Sequence, residues 1–143
     1  MGLRTMVIKL LRIGVHAHSA NSANLWGRTA VDFATRQGHL EIVRILAPIR
    51  NNVPLLLSEP HGQYLGRALH WSVMIGNLEI SWCLVSEGAD VDFLDDGATS
   101  LALATGTDNV ELVHLLLASA ADPDLHSVGG LIPLFVADKI DIA

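Results

Sequence analysis

The chain has a single cysteine, Cys83, among its 143 residues. One thiol excludes an internal disulfide framework, and an intracellular setting, cytoplasmic or nuclear, is the expectation. Long apolar runs are missing as well, since no stretch approaches the ~18–20 residues that span a bilayer. The run from Met6 to Val15 is broken by Lys9 and Arg12, which argues against a signal-peptide core. Met1-Gly2 looks like the start of a myristoylation motif, but Met6 stands where Ser or Thr is needed. No membrane association is expected.

The chemistry-bearing motifs are equally sparse. No Gly-rich phosphate loop, nucleophile elbow or paired zinc motif is present. His16-x-His18 has no companion cysteine or nearby carboxylate, so it makes a poor metal site. Asp92 to Gly97 resembles a calcium loop, but Leu94 falls at a ligand position and Leu103 where the bidentate glutamate belongs. Cys83 lies on an apolar helix face and reads as a small core residue. The chain is therefore expected to be non-catalytic, with no cofactor and no metal.

Each half of the sequence is poor in one sign of charge. Residues 1–67 carry eight basic residues against Asp32, Glu41 and Glu59, a net +5, within an overall charge of −6. Residues 68–143 carry Lys139 alone against twelve acids, a net −11. Two readings stand: drift among solvated surfaces, or a polarised surface that steers and orients a partner. Arg4, Lys9, Arg12, Arg28, Arg36, Arg44 and Arg50 share one half, but Trp26 and Phe33 are the only aromatics near them. A nucleic-acid surface wants stacking rings beside its cations, and the acidic half would repel the backbone. Nucleic acid is not the expected partner.

What the chain does have is apolar content and repetition. Half of its residues are hydrophobic and its mean hydropathy is +0.40, enough for an extended core in one domain. Gly38-His39-Leu40-Glu41-Ile42-Val43-Arg44-Ile45-Leu46 recurs from Gly76 to Leu84 and again from Asp108 to Leu116, at offsets of 38 and 32 residues. Each copy is a turn residue followed by apolar residues three and four apart, the spacing of a short helix. Leu3 to Ile13 predicts a further amphipathic helix, with Gly14 placed to terminate it. His16 to Asn24 is a polar loop.

Gly27-Arg28-Thr29-Ala30-Val31-Asp32-Phe33-Ala34 then resembles the ankyrin signature G-x-T-P-L-H-x-A, whose period is ~33 residues. Gly27, Thr29 and Ala34 match; Ala30, Val31 and Asp32 replace Pro, Leu and His. Leu69-His70 answers the same signature, and Gly88-Ala89-Asp90-Val91-Asp92 resembles the G-A-D-V-N that follows the second helix. His39 and His70 occupy positions where the family uses histidine structurally. Gly97, Thr99, Leu101 and Ala104 open a third unit that ends in Ala120-Ala121-Asp122, with Ala120 for the usual glycine. Asp108 replaces the turn glycine, a position at which Asp tolerates the left-handed conformation better than most residues. Gly130 opens a last unit with Ile132-Pro133-Leu134.

The resemblance implies an all-α ankyrin-type solenoid of about three full repeats with a half-repeat at each end. The expected units are residues 1–26, 27–64, 65–96, 97–129 and 130–143. The excess length of the 27–64 unit falls on Pro54 to Tyr64, which its prolines mark as a loop. Leu55-Leu56-Leu57 on that loop either folds back onto the stack or forms an exposed patch. The half-units predict marginal stability in isolation, from a truncated product, a fragment of a longer array, or a chain that associates end to end.

The implied activity is non-catalytic recognition of a protein partner; a structural segment of a longer array is the alternative. Carried over position by position, partner contacts fall on Leu25, Trp26, Arg28, Arg36 and Gln37 in the first full repeat. They fall on Gln63, Tyr64, Gly66, Met74 and Ile75 in the second, and on Asp95, Asp96, Ala98, Gly106 and Thr107 in the third.

Overall fold

The computed structural model describes Thr5 and residues 29–48, 61–95 and 97–125. Within them the chain forms six helices: α1 (Ala30–Arg36), α2 (Leu40–Leu46), α3 (His61–Met74), α4 (Leu78–Ser86), α5 (Ser100–Gly106) and α6 (Val110–Ala118). The expected helix over Leu3 to Ile13, the loop over His16 to Asn24, the Leu55 to Leu57 run and the last unit from Gly130 lie outside the described residues.

The helices start where the side chains can satisfy their first amides. Thr29 Oγ1 accepts from the Asp32 amide at 3.3 Å, and the Thr29 amide donates back to Asp32 Oδ2 at 2.8 Å, a reciprocal cap for α1. Thr99 caps α5 through the Ala102 amide at 3.1 Å. Asn77 caps α4 through the Ile80 amide and Asn109 caps α6 through the Leu112 amide. Each such cap contributes about 1 kcal/mol.

Helix pairs are closed by left-handed turns. Gly38 and Gly76 both have φ of 73°, and Asp108 takes the same role at φ 55°. The two amides after each first helix fold back onto its last turn. The His39, Asn77 and Asn109 amides reach the carbonyls of Ala34, Ser72 and Ala104 at 2.9, 2.9 and 3.1 Å. The same pattern ends α4 at Gly88, φ 90°, and α6 at Ala120, φ 66°.

Two layers result. α1, α3 and α5 pack side by side, α2, α4 and α6 form the second layer, and each first helix also packs on its own second helix. Between them lies one continuous core. Val31, Val43, Leu65, Leu69, Val73, Ile80, Leu84, Leu101, Leu112, Val113 and Leu116 are all essentially inaccessible. Burial of each large side chain contributes roughly 1.5–3 kcal/mol. Small residues at the signature's alanine position let the layers approach. At Ser72 the hydroxyl donates to the Leu69 carbonyl at 2.8 Å and meets the Ser81 hydroxyl at 2.7 Å, so no polar group is stranded there.

The start of α3 departs from the sequence expectation. His61 to Tyr64 is helical, not loop, and α3 runs across the expected unit boundary between residues 64 and 65. At 14 residues α3 is twice the length of α1 and α5, which have 7 each. Arg67 occupies the position held by Thr29 and Thr99, so the hydroxyl that caps α1 and α5 is absent and the helix continues toward its N-terminus. Gly62 and Gly66, four residues apart, lie one above the other on this added stretch. The Gly88 to Phe93 segment packs against them: the Asp90 amide donates to the Gly62 carbonyl at 2.8 Å. A methyl group on Gly66 would sit 2.6 Å from Phe93 Cβ and 2.9 Å from the Asp90 carbonyl oxygen. Here glycine is required by close approach, not by φ.

Candidate partner-binding surface

Residues at equivalent positions of α1, α3 and α5 line up across the first layer. The C-terminal ends of these helices bring together Arg36 and Gln37, then Met74 and Ile75, then Gly106 and Thr107, all exposed. Met74 is 47% and Ile75 44% accessible, high values for large apolar side chains in a folded stack. Asp95 is half-buried in a tight reversal in which its amide and carbonyl pair with those of Ala98 at 3.1 and 3.0 Å. Gly97, φ 76°, makes that reversal possible. Leu94 beside it is exposed.

Two expected contact residues are corrected by the structure. Tyr64 is only 4% accessible, and its hydroxyl donates to the Ala47 carbonyl at 3.5 Å. It is a core residue joining α3 to the end of α2, because the helical start of α3 turns it inward. Gly66 is buried beneath Phe93 for the reason given above. Gln63, one residue before Tyr64, stays exposed on α3. Ala98 is half-buried in the reversal. Leu25, Trp26, Arg28 and Asp96 lie outside the described residues.

The structure adds a column that position-by-position transfer passed over. Phe33, Trp71 and Leu103 each precede the small residue of the signature, and they share one register across α1, α3 and α5. Phe33 is 50% accessible, and Trp71 and Leu103 are half-buried. The guanidinium of Arg36 lies over the Trp71 ring, 5.1 Å from its centroid, a contact worth about 0.5–1 kcal/mol at an exposed site. Only the variable letter of the signature signalled this column.

A second inter-repeat contact is buried. Arg67 Nη1 lies 3.9 Å from Asp32 Oδ2, and its guanidinium lies 5.6 Å from the Phe93 ring centroid. Asp32 also accepts from the Thr29 hydroxyl at 3.2 Å. One arginine thus ties the carboxylate that replaces the family's histidine to the loop of the following unit. By contrast, Arg44 and Glu41, 3.4 Å apart on the exposed face of α2, contribute little, as exposed pairs generally do.

Cys83, the one cysteine of the chain, is not held as an activated nucleophile. Burial is the main cause that pushes the Cys83 thiol above its ordinary value; Glu87 adds to the rise and Arg44 opposes it. A thiol held in its protonated form is a poor nucleophile. Among the described residues no group of His, Cys, Asp and Glu side chains could hold a metal ion. Within the same residues no helix is long and apolar enough to cross a membrane.

Paired short helices stacked in two layers, with a shared core and left-handed glycine turns, define a helical-repeat solenoid. The family model for ankyrin repeats in three copies matches residues 49–127, and the chain belongs to the ankyrin-repeat family. It is 36% identical over 115 residues to the nuclear factor NF-kappa-B p105 subunit of Mus musculus, a match covering 78% of this chain and 12% of that protein. It is 32% identical over 94 residues, 66% of its length, to the ankyrin repeat and KH domain-containing protein mask-1 of Caenorhabditis elegans, covering 3% of it. Over 122 residues, 85% of the chain, it is 30% identical to the potassium channel AKT2/3 of Arabidopsis thaliana, covering 14% of that protein. The matched stretch is thus a small part of each of these relatives. Ankyrin repeats are in general protein–protein interaction modules and are typically non-enzymatic.

Proposed function

We propose that this chain is a non-catalytic recognition module. It binds a protein partner through the exposed ends of α1, α3 and α5, with the Asp95 to Ala98 reversal at its edge. The observation that carries the reading is the accessible apolar group formed by Phe33, Met74 and Ile75 on a layer whose core positions are filled. Those side chains remain about half accessible in the stack, and their burial in a complex would contribute to affinity. Arg36, Gln37, Gln63, Asp95 and Thr107 supply a polar rim. An intracellular setting belongs to the same reading, as does end-to-end association driven by the opposite charge of the two halves.

The test compares the proteins captured from a cell extract by the native chain and by Met74→Ser/Ile75→Ser, identified by mass spectrometry. The recognition reading expects specific partners lost by the double variant while helical circular dichroism stays unchanged. Identical capture by both chains, or loss of helix together with loss of capture, favours a structural segment of a longer array instead. End-to-end association should weaken as salt rises; a strictly monomeric chain in sedimentation contradicts it.

A further inference from the structure

The strip at the helix ends has a charge order. Arg36 lies at the α1 end, Met74 and Ile75 in the middle on α3, and Asp108 at the far end, directly after α5. Arg36 and Asp108 are both exposed and neither makes an ion pair among the described residues. Arg36 leans toward the middle of the strip, over Trp71.

Two residues on this strip are not the ones the fold alone would favour. Asp108 adopts φ 55°, where glycine serves at Gly38 and Gly76. Its charge is unfavourable beside the C-terminal end of α5 and favourable ahead of α6, so the helix dipoles give it no clear advantage. Gly106 ends α5 in ordinary helical geometry, and a Cβ built on it would meet nothing within 4 Å. Neither the turn nor the packing needs a glycine there, and glycine is a poor helix residue. With no side chain, Gly106 presents bare helix backbone to solvent between the apolar middle and Asp108.

We infer that this strip takes an extended peptide segment of a partner carrying an acidic, an apolar and a basic residue in succession, its backbone passing over Gly106. The inference rests on the recognition reading above and names the partner's chemistry. Neighbouring helix axes lie about 8–10 Å apart, and an extended chain advances about 3.3 Å per residue. Every third residue of such a segment therefore meets the next helix: the acid meets Arg36, the apolar residue meets Met74 and Ile75, and the base meets Asp108.

The test uses three synthetic peptides on the full chain, with acid-apolar-base, acid-apolar-acid and base-apolar-base at every third residue, and a scrambled control. The native chain should bind the mixed-charge peptide most tightly. Arg36→Glu should shift the preference to the peptide with two bases, and Asp108→Asn should remove the discrimination at the basic end, each by roughly two- to fivefold in Kd. Gly106→Gln should weaken all binding while thermal stability holds or rises, a pairing that damage to the fold would not produce. An unchanged ranking across the variants, or no peptide bound above the scrambled control, overturns the inference. Captured proteins that depend on Met74 and Ile75 but ignore Arg36→Glu, Asp108→Asn and Gly106→Gln also overturn it, and leave the recognition reading standing.

Discussion

The flanking helix pairs and the middle one solve the same packing problem with different first helices. α1 and α5 are 7 residues long and begin at a threonine cap; α3 is 14 residues long and has Arg67 at the equivalent place. At Thr29 and Thr99 a short side chain folds back to the helix's own amides and fixes its start. Arg67 reaches outward instead, to Asp32 of the preceding pair and to Phe93 in the loop that closes its own unit. The flanking pairs are defined locally, and the middle pair is defined in part by the pair before it. A signature residue therefore sets where a helix begins, and its replacement can turn a helix start into a tie between repeats.

That contrast can be broken most severely at Gly66. Gly66→Ala forces a methyl group against Phe93 and the Asp90 carbonyl, and should cost about 2–3 kcal/mol in urea unfolding, as overpacking does. Gly106→Ala, where no neighbour is near, should instead be neutral or slightly stabilising. Next comes Arg67→Ala, with an expected loss of about 2 kcal/mol from leaving the buried Asp32 carboxylate with fewer partners. In a double-mutant cycle that loss should shrink in the Asp32→Asn background. Thr99→Ala, at the equivalent position of α5, should cost about 1 kcal/mol through the lost cap alone and be indifferent to Asp32.

Smaller effects sharpen the comparison of the turns. Ala120 carries a Cβ at φ 66°, where Gly88 stands at φ 90° in the middle unit. Ala120→Gly should raise stability by about 1 kcal/mol, read as a shift in thermal midpoint. The smallest effect concerns Cys83, whose thiol is raised chiefly by burial. As pH rises through the ordinary thiol range, the unfolded chain ionises before the folded one, so this thiol's contribution to stability is full below that range and lost above it. Cys83→Ser should flatten the alkaline fall in stability. The buried thiol should also resist alkylation until the chain is unfolded.

Much of this was legible in the sequence where the physical signal is local. The second helices were marked by a turn residue and apolar residues three and four apart. The left-handed turns at Gly38, Gly76 and Gly88 followed from glycine, and that at Asp108 from its alignment with them. The start of α3 differs from the expected loop because Pro54 and Pro60 outweigh a periodic signal in the sequence. That signal was Tyr64, Leu65, Ala68, Leu69, Ser72 and Val73, a four-residue repeat continuing ahead of the signature. Misplacing the start put Tyr64 and Gly66 on the surface, whereas both are buried. The column of Phe33, Trp71 and Leu103 and the ties made by Arg36 and Arg67 depend on stacking of separate repeats, which no single repeat shows.

Amide hydrogen exchange at Leu65, Gly66 and Arg67 tests the central contrast most directly. In a helix that begins at His61, these amides have carbonyl partners four residues back. They should then be protected to nearly the same degree as Leu69 and Val73 in the same helix. Exchange at the rate of an open loop, with protection beginning only after Ala68, would contradict it. The middle unit would then start like its neighbours, and Arg67 would not be the tie between repeats.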